Sequence, residues 1–558
     1  MLKVTIQEDR SQPDRLGVSN QSNNEMDFDY TNYIIDHCCL ITDVPKTYKQ
    51  ALSSADFNLW KFAMDEEVKK LLAKDTYELV DLPYGEKVVP GRWVYVLKDN
   101  TMGKLPHHAR WCAKGFHQEQ GVNYGETFAP TAKMTTIHMS ASVTTQDSMV
   151  TGQMDVNSAY LNADIDCDIY MEQPKGYAED PNKVCKLKKA IYGLKQSGRQ
   201  WNKLLTECLT KDGFTKSEAD PCLFTKVNEN GKVILIVWVD DIIISASNYD
   251  LLNDVKTFLS NSFQMKDLGP WNMFLGIEFI VSQNSISMNQ SKYIQNILNR
   301  FGMSDCKPKS VPVDPSVYDL VQTESELLND PTPYREIVGS LIYLMTSTRP
   351  DIAYVVTLLS QYMSSPHVVH LTLAKSVLRY IKGTINYNLK YVKTDKPLEL
   401  IGFSDSDWGS SPDRHSISGY GFKLNTESAL ISWRSCKQRV VALSTCEAEY
   451  LALTESCKEA LFLRQLLSDM TNSKKAHVKL HTDNQGSMAL AKNPVHHKRT
   501  KHISIRYHFI RHQVLKGVIE LSYIPSNDNI ADLFTKPLPK QKFNQFCTIR
   551  GMGFEEKS

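Results

Sequence analysis

Residues 233–244 read VILIVWVDDIII and place two adjacent aspartates, Asp240 and Asp241, between two apolar runs. The runs Val233–Val239 and Ile242–Ile244 are rich in β-branched residues, which predicts two strands. Because charges inside an apolar strand are costly, we expect the acids at the turn of a hairpin, where they can meet cations. A lone Asp-Asp pair is equally typical of a solvated turn, so its surroundings decide the interpretation.

A third carboxylate, Asp155, lies at the end of a second short strand-like run, Gln153–Val156. Three carboxylates at strand ends are what a two-metal site requires. Two Mg²⁺ ions held there can activate a 3′-hydroxyl and stabilise a leaving pyrophosphate. Asp155, Asp240 and Asp241 are therefore the candidate catalytic and metal-binding residues of a nucleotidyl-transfer site.

Seven short motifs, these acids included, follow one another along the first part of the chain. They are Tyr77–Val80, Lys114–Phe116, Glu126–Pro130, Asp155–Leu161, Ile191–Trp201, Trp238–Asp241 and Phe274–Glu278. Their order and their residues resemble those of the reverse transcriptase of copia-type (Pseudoviridae) LTR retrotransposons. The resemblance covers about residues 45–320 and implies a right-hand polymerase with fingers, palm and thumb.

The resemblance also implies substrate contacts. Tyr160 would be the steric gate beneath the incoming sugar, where a 2′-hydroxyl would clash, so that deoxynucleotides are favoured. The other implied contacts are Gln196 with the nucleotide or template strand, Arg110 and Lys114 with the triphosphate, and Leu275 and Gly276 with the primer end. Charge-assisted contacts suit phosphate oxygens, and exposed surface charge is the alternative for the two cations.

Three positions depart from the family pattern. Trp238 stands where Tyr or Phe is usual, His138 stands where Arg is usual, and His108 replaces a usual Lys. None of these departures removes a metal ligand. They bear on the efficiency of the reaction and leave its type unchanged.

A second set of acids lies in the last third of the chain, at the predicted ends of strands or starts of helices. Its members are Asp405, Glu449, Asp483 and Asp532. Each alone is typical of a helix cap or a turn, but together they resemble the four-acid site of ribonuclease H, over about residues 398–540. Glu449 is preferred to Glu447 because the family pattern has Glu followed by two large residues and Ala. The resemblance implies two Mg²⁺ ions that activate water to cleave RNA paired with DNA.

Residues 492–516 contain seven Lys or Arg, five His and no acid. Such a basic segment with interleaved aromatic residues suits the backbone of a hybrid duplex, and its binding should weaken with salt. A solvated helix face is the alternative. The predicted nucleic-acid-binding residues are Lys498, Arg499, Lys501, Arg506 and Arg511.

Composition limits the class of protein. The 558 residues carry 64 Lys and Arg against 63 Asp and Glu, which disfavours a protein that coats nucleic acid through its overall charge. The twelve cysteines include no CxxC pair, which argues against a structural zinc site or a secreted disulfide framework. No apolar run approaches the ~20 residues of a spanning helix, so no membrane partner is expected. We expect an intracellular, cytoplasmic protein of a virus-like particle, with nuclear entry as a further option.

The predicted fold class is a multidomain α+β and α/β protein: a right-hand polymerase followed by a ribonuclease H-like domain. Two stretches, Leu187–Gly213 and Val338–Ile381, are predicted as helical. The predicted divisions are an acidic disordered tail over 1–44, fingers and palm over 45–310, a thumb or connection with a Pro-rich linker over 311–397, a ribonuclease H-like domain over 398–540 and a C-terminal tail over 541–558.

The predicted function is that of an RNA-directed DNA polymerase of a retrotransposon with ribonuclease H activity. Its cofactor is predicted as Mg²⁺, two ions per active site, with Mn²⁺ as the alternative. The predicted partners are RNA template, DNA primer, RNA–DNA hybrid and dNTPs, with integrase or capsid of the same element as further candidates. Two alternatives stay open: a catalytically silent nucleic-acid-binding remnant of a degenerate or truncated element, and an active nuclease with an inactive polymerase.

Overall fold

The computed structural model describes residues 44–97, 107–317, 325–411, 413–473, 477–492, 504–549 and 552–554. The predicted acidic tail lies outside these residues, apart from Val44.

The first part of the chain combines helices and short strands around aromatic side chains. Its elements are α1 (Tyr48–Leu52), α2 (Phe57–Ala73), β1 (Tyr77–Val80), β2 (Val88–Val89), β3 (Gly91–Leu97), β4 (His107–Ala113), α3 (Met134–Gln146), β5 (Val150–Val156), β6 (Tyr170–Met171) and β7 (Val184–Leu187). The strands β1, β7, β6 and β2 form one sheet, and β3 pairs with β4 as a separate hairpin. Trp60 of α2 packs edge-on against Tyr95 of β3, with ring centroids 5.2 Å apart. Aromatic packing of this kind fixes the helix on the hairpin.

The second part is built on a six-stranded antiparallel sheet with the order β12-β5-β11-β10-β9-β8. Its elements are α4 (Ser197–Lys211), β8 (Thr215–Lys216), β9 (Leu223–Asn228), β10 (Gly231–Trp238), β11 (Asp241–Ala246), α5 (Tyr249–Ser262), β12 (Met265–Gly269), β13 (Met273–Phe274), β14 (Ile277–Val281), β15 (Ser285–Asn289) and α6 (Ser291–Arg300). The central strands are β-branched and buried, as the apolar runs predict. Helix α4 begins only at Ser197, because residues 188–196 form turns around Gly193, whose φ is +93°.

The third part consists of three α-helices followed by one strand that joins a sheet of the second part. It comprises α7 (Thr332–Ser347), α8 (Ala353–Ser360), α9 (Val368–Gly383) and β16 (Tyr387–Val392). The predicted helical stretch Val338–Ile381 is thus split among three helices, and the first break follows Thr348, ahead of Pro350. Strand β16 pairs with β15, so this part is joined to the second by a continuous sheet.

The last part carries a mixed five-stranded sheet with the order β19-β18-β17-β20-β21. Its elements are β17 (Leu400–Ser406), β18 (Ile417–Lys423), β19 (Ser432–Lys437), α10 (Thr445–Thr471), β20 (Val478–Thr482), α11 (Gln485–Lys492), α12 (Ser504–Leu515), β21 (Ile519–Tyr523), α13 (Lys540–Ile549) and β22 (Met552–Phe554). The first three strands are antiparallel, and β20 and β21 run parallel to β17. The predicted α+β and α/β fold class is confirmed. The domain boundaries stay predictions.

The predicted C-terminal tail over 541–558 is wrong in one respect. Residues 540–549 form α13, and β22 pairs with β16 of the helical part. Phe543, Phe546 and Cys547 are buried, so an apolar helix face holds this segment against the molecule.

The six-stranded sheet and the last domain share a buried contact through α3. His138 of α3 stacks on Trp433 of β19 with 5.0 Å between ring centroids, and its Nε2 lies 2.6 Å from the Ser347 carbonyl oxygen. Burial lowers the pKa of His138 to about 4, so the side chain is neutral at pH 7. Of the helices in the described ranges, none combines the length and the apolar character needed to cross a bilayer.

Candidate active sites

The hairpin site comprises Asp155, Asp240 and Asp241, and it is organised by strand pairing. Trp238 and Asp241 are paired across β10 and β11, so Val239 and Asp240 form the turn between them. Asp155 of β5 is the cross-strand partner of Asp241. Because opposed residues of antiparallel strands have Cβ atoms ~4.5–5.5 Å apart, the register brings the three predicted acids to one end of the sheet.

The turn is held in a conformation that Val rarely adopts. Val239 has φ +54°, in the left-handed region that disfavours β-branched residues. Its carbonyl oxygen accepts a hydrogen bond of 2.6 Å from Trp201 Nε1. The Val156 N–H donates to the Asp240 carbonyl oxygen at 2.8 Å. These two bonds tie the turn to α4 and to β5.

Tyr192 connects the acids with two predicted substrate contacts. Its hydroxyl donates to Asp240 Oδ2 at 3.4 Å, and its ring centroid lies 4.5 Å from that of Tyr160. The Arg110 guanidinium lies 4.5 Å from the centre of the Tyr192 ring. Burial raises the pKa of Tyr192 well above its ordinary value, so the hydroxyl stays protonated and can donate. The sequence interpretation quoted Tyr192 within a motif but assigned it no role.

Gln196 is placed differently from its predicted contact with nucleotide or template. Its side chain is fully buried, and its Oε1 accepts from Gln118 Nε2 at 3.0 Å. Its Nε2 donates to the Asn123 carbonyl oxygen at 3.1 Å and to Cys167 Sγ at 3.3 Å. These bonds engage the whole amide in packing, which argues against a direct contact with substrate in this arrangement.

The remaining predicted contacts of the first site lie on backbone features. Leu275 and Gly276 both have positive φ, +53° and +71°, in the turn between β13 and β14. The Leu275 carbonyl oxygen accepts a hydrogen bond from the Tyr343 hydroxyl of α7. Lys114 follows β4, and its N–H donates to the Pro90 carbonyl oxygen at 2.9 Å.

The C-terminal acid site comprises Asp405, Glu449, Asp483 and Asp532. Asp405 lies near the end of β17, Asp483 follows the parallel neighbour β20, and Glu449 lies in the first turns of α10. Helix α10 begins there because the Ser444 hydroxyl oxygen accepts from the Glu447 N–H. One carboxylate oxygen from each of Asp405, Glu449 and Asp483 lies within 4.8 Å of the other two. Among the described residues, this trio is the one group of three or more His, Cys, Asp or Glu close enough to share a cation.

Burial makes this trio electrostatically unfavourable without a cation. Burial, with Asp532 and Asp483 nearby, raises the pKa of Asp405 to about 7. Burial and then the charges of Asp405 and Asp483 raise the pKa of Glu449 well above its ordinary value. Within the described part of the chain, Glu449 Oε2 is buried without a hydrogen-bond donor. Three hard oxygen donors and one buried, unsatisfied oxygen fit a divalent cation such as Mg²⁺.

Asp532 lies beside this trio and is bound to lysines. Lys536 Nζ lies 2.7 Å from Asp532 Oδ1, and Lys542 Nζ lies 2.7 Å from Asp532 Oδ2. Lys536 Nζ also lies 3.7 Å from Asp405 Oδ2. The role of Asp532 as a metal ligand therefore stays a prediction. The sequence interpretation missed both lysines, although Lys536 stands four residues after Asp532, a spacing typical of ion pairs on helices.

The predicted nucleic-acid contacts in the basic segment are described only in part. Lys498, Arg499 and Lys501 lie outside the described residues. Arg506 lies within α12, and its side chain is outside the described part of the structure. Arg511 Nη2 donates to the Leu490 carbonyl oxygen of α11 at 3.3 Å. This bond joins two helices, so Arg511 has a structural partner besides any phosphate.

The sequence matches one protein family and several retrotransposon proteins. A family model described as "Reverse transcriptase (RNA-dependent DNA polymerase)" matches residues 74–315. The chain is 37% identical to the Retrovirus-related Pol polyprotein from transposon TNT 1-94 of Nicotiana tabacum, over 91% of this chain and 39% of that one. It is 34% identical to the putative transposon Ty5-1 protein YCL074W of Saccharomyces cerevisiae, over 55% of this chain and 100% of that one.

A solved structure, the foamy viral protease-reverse transcriptase in complex with RNA/DNA hybrid, is also similar. It has a TM-score of 0.48 and 12% identity, with 95% of this chain and 66% of that one covered. The chain spans 39%, 34% and 35% of the tobacco polyprotein and of the RE1 and RE2 transposon polyproteins of Arabidopsis thaliana.

Proposed function

The chain belongs to the reverse transcriptase family of copia-type retrotransposon Pol polyproteins, and on this premise we propose that it is an RNA-directed DNA polymerase that also cleaves the RNA strand of RNA–DNA hybrids. The single observation that supports the polymerase best is the strand register that pairs Asp155 with Asp241 beside the Asp240 turn. In this proposal the substrates are an RNA template, a DNA primer and dNTPs.

At the hairpin site, Asp155, Asp240 and Asp241 would hold Mg²⁺, which supplies activation of the primer 3′-hydroxyl and charge stabilisation on the phosphates. The chain's own residues orient the reactants. Tyr192 fixes Asp240 by its hydroxyl and supports the ring of Tyr160. Tyr160 then blocks a 2′-hydroxyl on the incoming sugar. The turn at Leu275 and Gly276, anchored by Tyr343, would position the primer end.

At the C-terminal acid site, Asp405, Glu449 and Asp483 would hold a divalent ion, which supplies activation of water for attack on a phosphodiester. The closed grouping of the three carboxylates supports this half of the proposal. The Lys and Arg side chains of the basic segment at 492–516 would neutralise phosphates of the hybrid backbone, which releases counterions and favours binding. Integrase or capsid of the same element and a cytoplasmic virus-like particle remain part of the proposal as partners and location.

One observation favours an alternative, an active nuclease with an inactive polymerase. Among the residues that the structure describes, the carboxylates of the nuclease site are the ones that close into a group. The acids of the hairpin site are instead brought together by backbone register, and their oxygens do not form such a group in the described chain. Separate assays of the two reactions distinguish these functions.

The polymerase half is tested by primer extension on an RNA template with dNTPs and Mg²⁺. We expect extension by the wild-type chain and a loss of at least ~10³-fold in Asp240→Asn, because a metal ligand is removed. Asp254→Asn, an exposed carboxylate on α5, is the matched control and should keep wild-type activity. Full extension by Asp240→Asn would reject the assignment.

A further inference from the structure

Lys536 occupies a position between the acids of the nuclease site. Its ammonium group lies 2.7 Å from Asp532 and 3.7 Å from Asp405. Its side chain is 37% exposed, whereas those of the two acids are almost fully buried. The lysine thus enters from the surface and covers the acids with a single positive charge.

The backbone around Asp532 fixes this arrangement. Residues Ile530–Phe534 form a 3₁₀ helix, and the Lys536 N–H donates to the Asp532 carbonyl oxygen at 3.2 Å. In the same turn the Thr535 hydroxyl donates to Asp405 Oδ2, the oxygen nearest Lys536. Pro537 follows directly, which prevents the helix from continuing. Two consecutive side chains, Thr535 and Lys536, are therefore directed at Asp405.

Lys542 provides an internal comparison. It lies 2.7 Å from the second oxygen of Asp532, and among the described residues its other partners are the Ser526 carbonyl oxygen and the Phe546 ring. Both lysines neutralise Asp532, but Lys536 also faces the trio. Any effect on cation binding by the trio should therefore differ between the two lysines.

We propose that Lys536 is a positioning residue that acts as a built-in counter-ion of the nuclease site. It engages Asp532 and lies against Asp405, so that the free chain binds one divalent ion in the trio and offers no complete site for a second. This inference rests on the proposed nuclease function. It concerns the free chain, without nucleic acid.

The physical reason is charge balance. With Lys536 in place, Asp532 is paired on both oxygens and one positive charge lies close to Asp405. Without that charge, four carboxylates with one remaining lysine face one another, and like charges at this range favour cation binding strongly. Removing Lys536 should therefore raise affinity for a divalent ion and open a second position that includes Asp532.

The experiment counts bound Mn²⁺ by the loss of the free-ion electron paramagnetic resonance signal, with the full chain and no nucleic acid. All proteins carry Asp240→Asn and Asp241→Asn, which remove two of the three acids of the hairpin site. The parent is compared with Lys536→Met, with Lys536→Arg, which keeps the charge, and with Lys542→Met as the matched control. Glu449→Gln identifies the ion held by the trio, and circular dichroism checks that each protein is folded.

We expect one trio-dependent ion in the parent, and in Lys536→Met about tenfold tighter binding or a second ion. Lys536→Arg and Lys542→Met should behave as the parent does. The proposal is overturned if Lys536→Met binds as the parent, or if Lys542→Met changes binding equally. If Lys536→Met does not fold, Lys536→Gln replaces it under the same criteria. If Glu449→Gln leaves Mn²⁺ binding unchanged, the trio is not a metal site, and both the proposed nuclease and this inference fail. If Glu449→Gln loses the bound Mn²⁺ but Lys536→Met has no effect on Mn²⁺ binding, only this inference is rejected.

Discussion

Two side chains, Tyr192 and Lys536, contact the acids of the two sites, Tyr192 through Asp240 and Lys536 through Asp532 and Asp405. The grouping of Asp405, Glu449 and Asp483 could be predicted from their motifs, whereas the substrate roles of Tyr160 and Gly276 stay predictions. The contacts of Tyr192 and Lys536 were not predictable, because each depends on partners distant in sequence, Asp240 and Asp405 respectively. Gln196 was predicted from its motif to contact the nucleotide or template, but its side chain is fully buried in the structure.

Tyr192 should affect the polymerase in two separable ways. Tyr192→Phe removes the hydrogen bond to Asp240 but keeps the ring beside Tyr160, so we expect about a tenfold loss of kcat/KM, as for one lost hydrogen bond to a charged group. Discrimination between dNTP and rNTP should be unchanged. Tyr192→Leu also removes support from Tyr160 and should lower discrimination. The measurement is single-nucleotide incorporation with each sugar, and equal discrimination in both variants would contradict the account.

Asp405 should limit the stability of the metal-free chain. Its pKa is raised to about 7 in the folded chain, above the ~3.9 of an unfolded Asp, so the folded state takes up a proton that the unfolded state takes up only at lower pH. The destabilisation is therefore absent well below pH 4, grows between about pH 4 and pH 7, and is complete above pH 7. In EDTA at pH 8, Asp405→Asn should melt roughly 2–4 °C above the wild type.

That difference should shrink at pH 5, where the folded wild-type Asp405 is protonated. The check is a melting series between pH 5 and pH 8 for both proteins. A lower melting temperature in Asp405→Asn at pH 8 would show that the carboxylate stabilises the fold. Lys536→Met in the same series should be less stable than the wild type, because it leaves the buried acids without their nearest cation.

At the scale of elements, strand pairing was easier to predict than helix limits. The hairpin of β10 and β11 follows from two β-branched runs around a charged pair. The start of α4 at Ser197 instead of Leu187 depends on turns around Gly193, where the glycine approaches Ala113 of a distant strand. The helix over residues 540–549 was missed because a short terminal helix has little sequence signal apart from its apolar face. It is stabilised by tertiary contacts, such as Phe543 with Tyr380 of the helical part and Lys542 with Asp532 of the last part.

The turn at Val239 should depend on Trp201. Trp201→Phe removes the hydrogen bond from Nε1 to the Val239 carbonyl oxygen and leaves a small cavity, since the side chain is buried. We expect a loss of about 1–3 kcal/mol in the free energy of unfolding and reduced primer extension with hybrid cleavage unchanged. Urea denaturation and the two activity assays test this. A parallel loss of cleavage would mean that the substitution disturbs the whole fold and not the turn alone.

At the scale of the molecule, the order of the two sets of acids follows from the order of their motifs, but the contact between the two parts of the chain that carry them could not be predicted. His138 is a departure from the family pattern, and its observed role is packing: it stacks on Trp433 and meets the Ser347 carbonyl oxygen. A second contact joins Ser217 Oγ to Asp469 Oδ2 at 2.5 Å. Such long-range pairs leave no local pattern, because neither partner has a neighbour in sequence that signals the other.

The His138 contact should couple the stability of the two domains. Trp433→Ala removes a large side chain from this contact and its hydrogen bond to the Met345 carbonyl oxygen. We expect a loss of about 2–3 kcal/mol in the free energy of unfolding, less than for a fully buried aromatic residue because Trp433 is half-buried, and earlier proteolytic separation of the domains. Limited proteolysis with thermal melting measures this. If Trp433→Ala resists proteolysis as well as the wild type does, the contact contributes little to holding the two domains together.

The claim that one chain holds two independent metal-dependent sites is tested most directly by a single reaction that reports both activities. A DNA primer and its RNA template carry different end labels, and extension and cleavage are followed together in Mg²⁺. The account predicts that Asp240→Asn cleaves without extending and that Glu449→Gln extends without cleaving, while Glu447→Gln, the neighbouring acid, does both. Extension and cleavage lost together in either variant, or both kept, would contradict it.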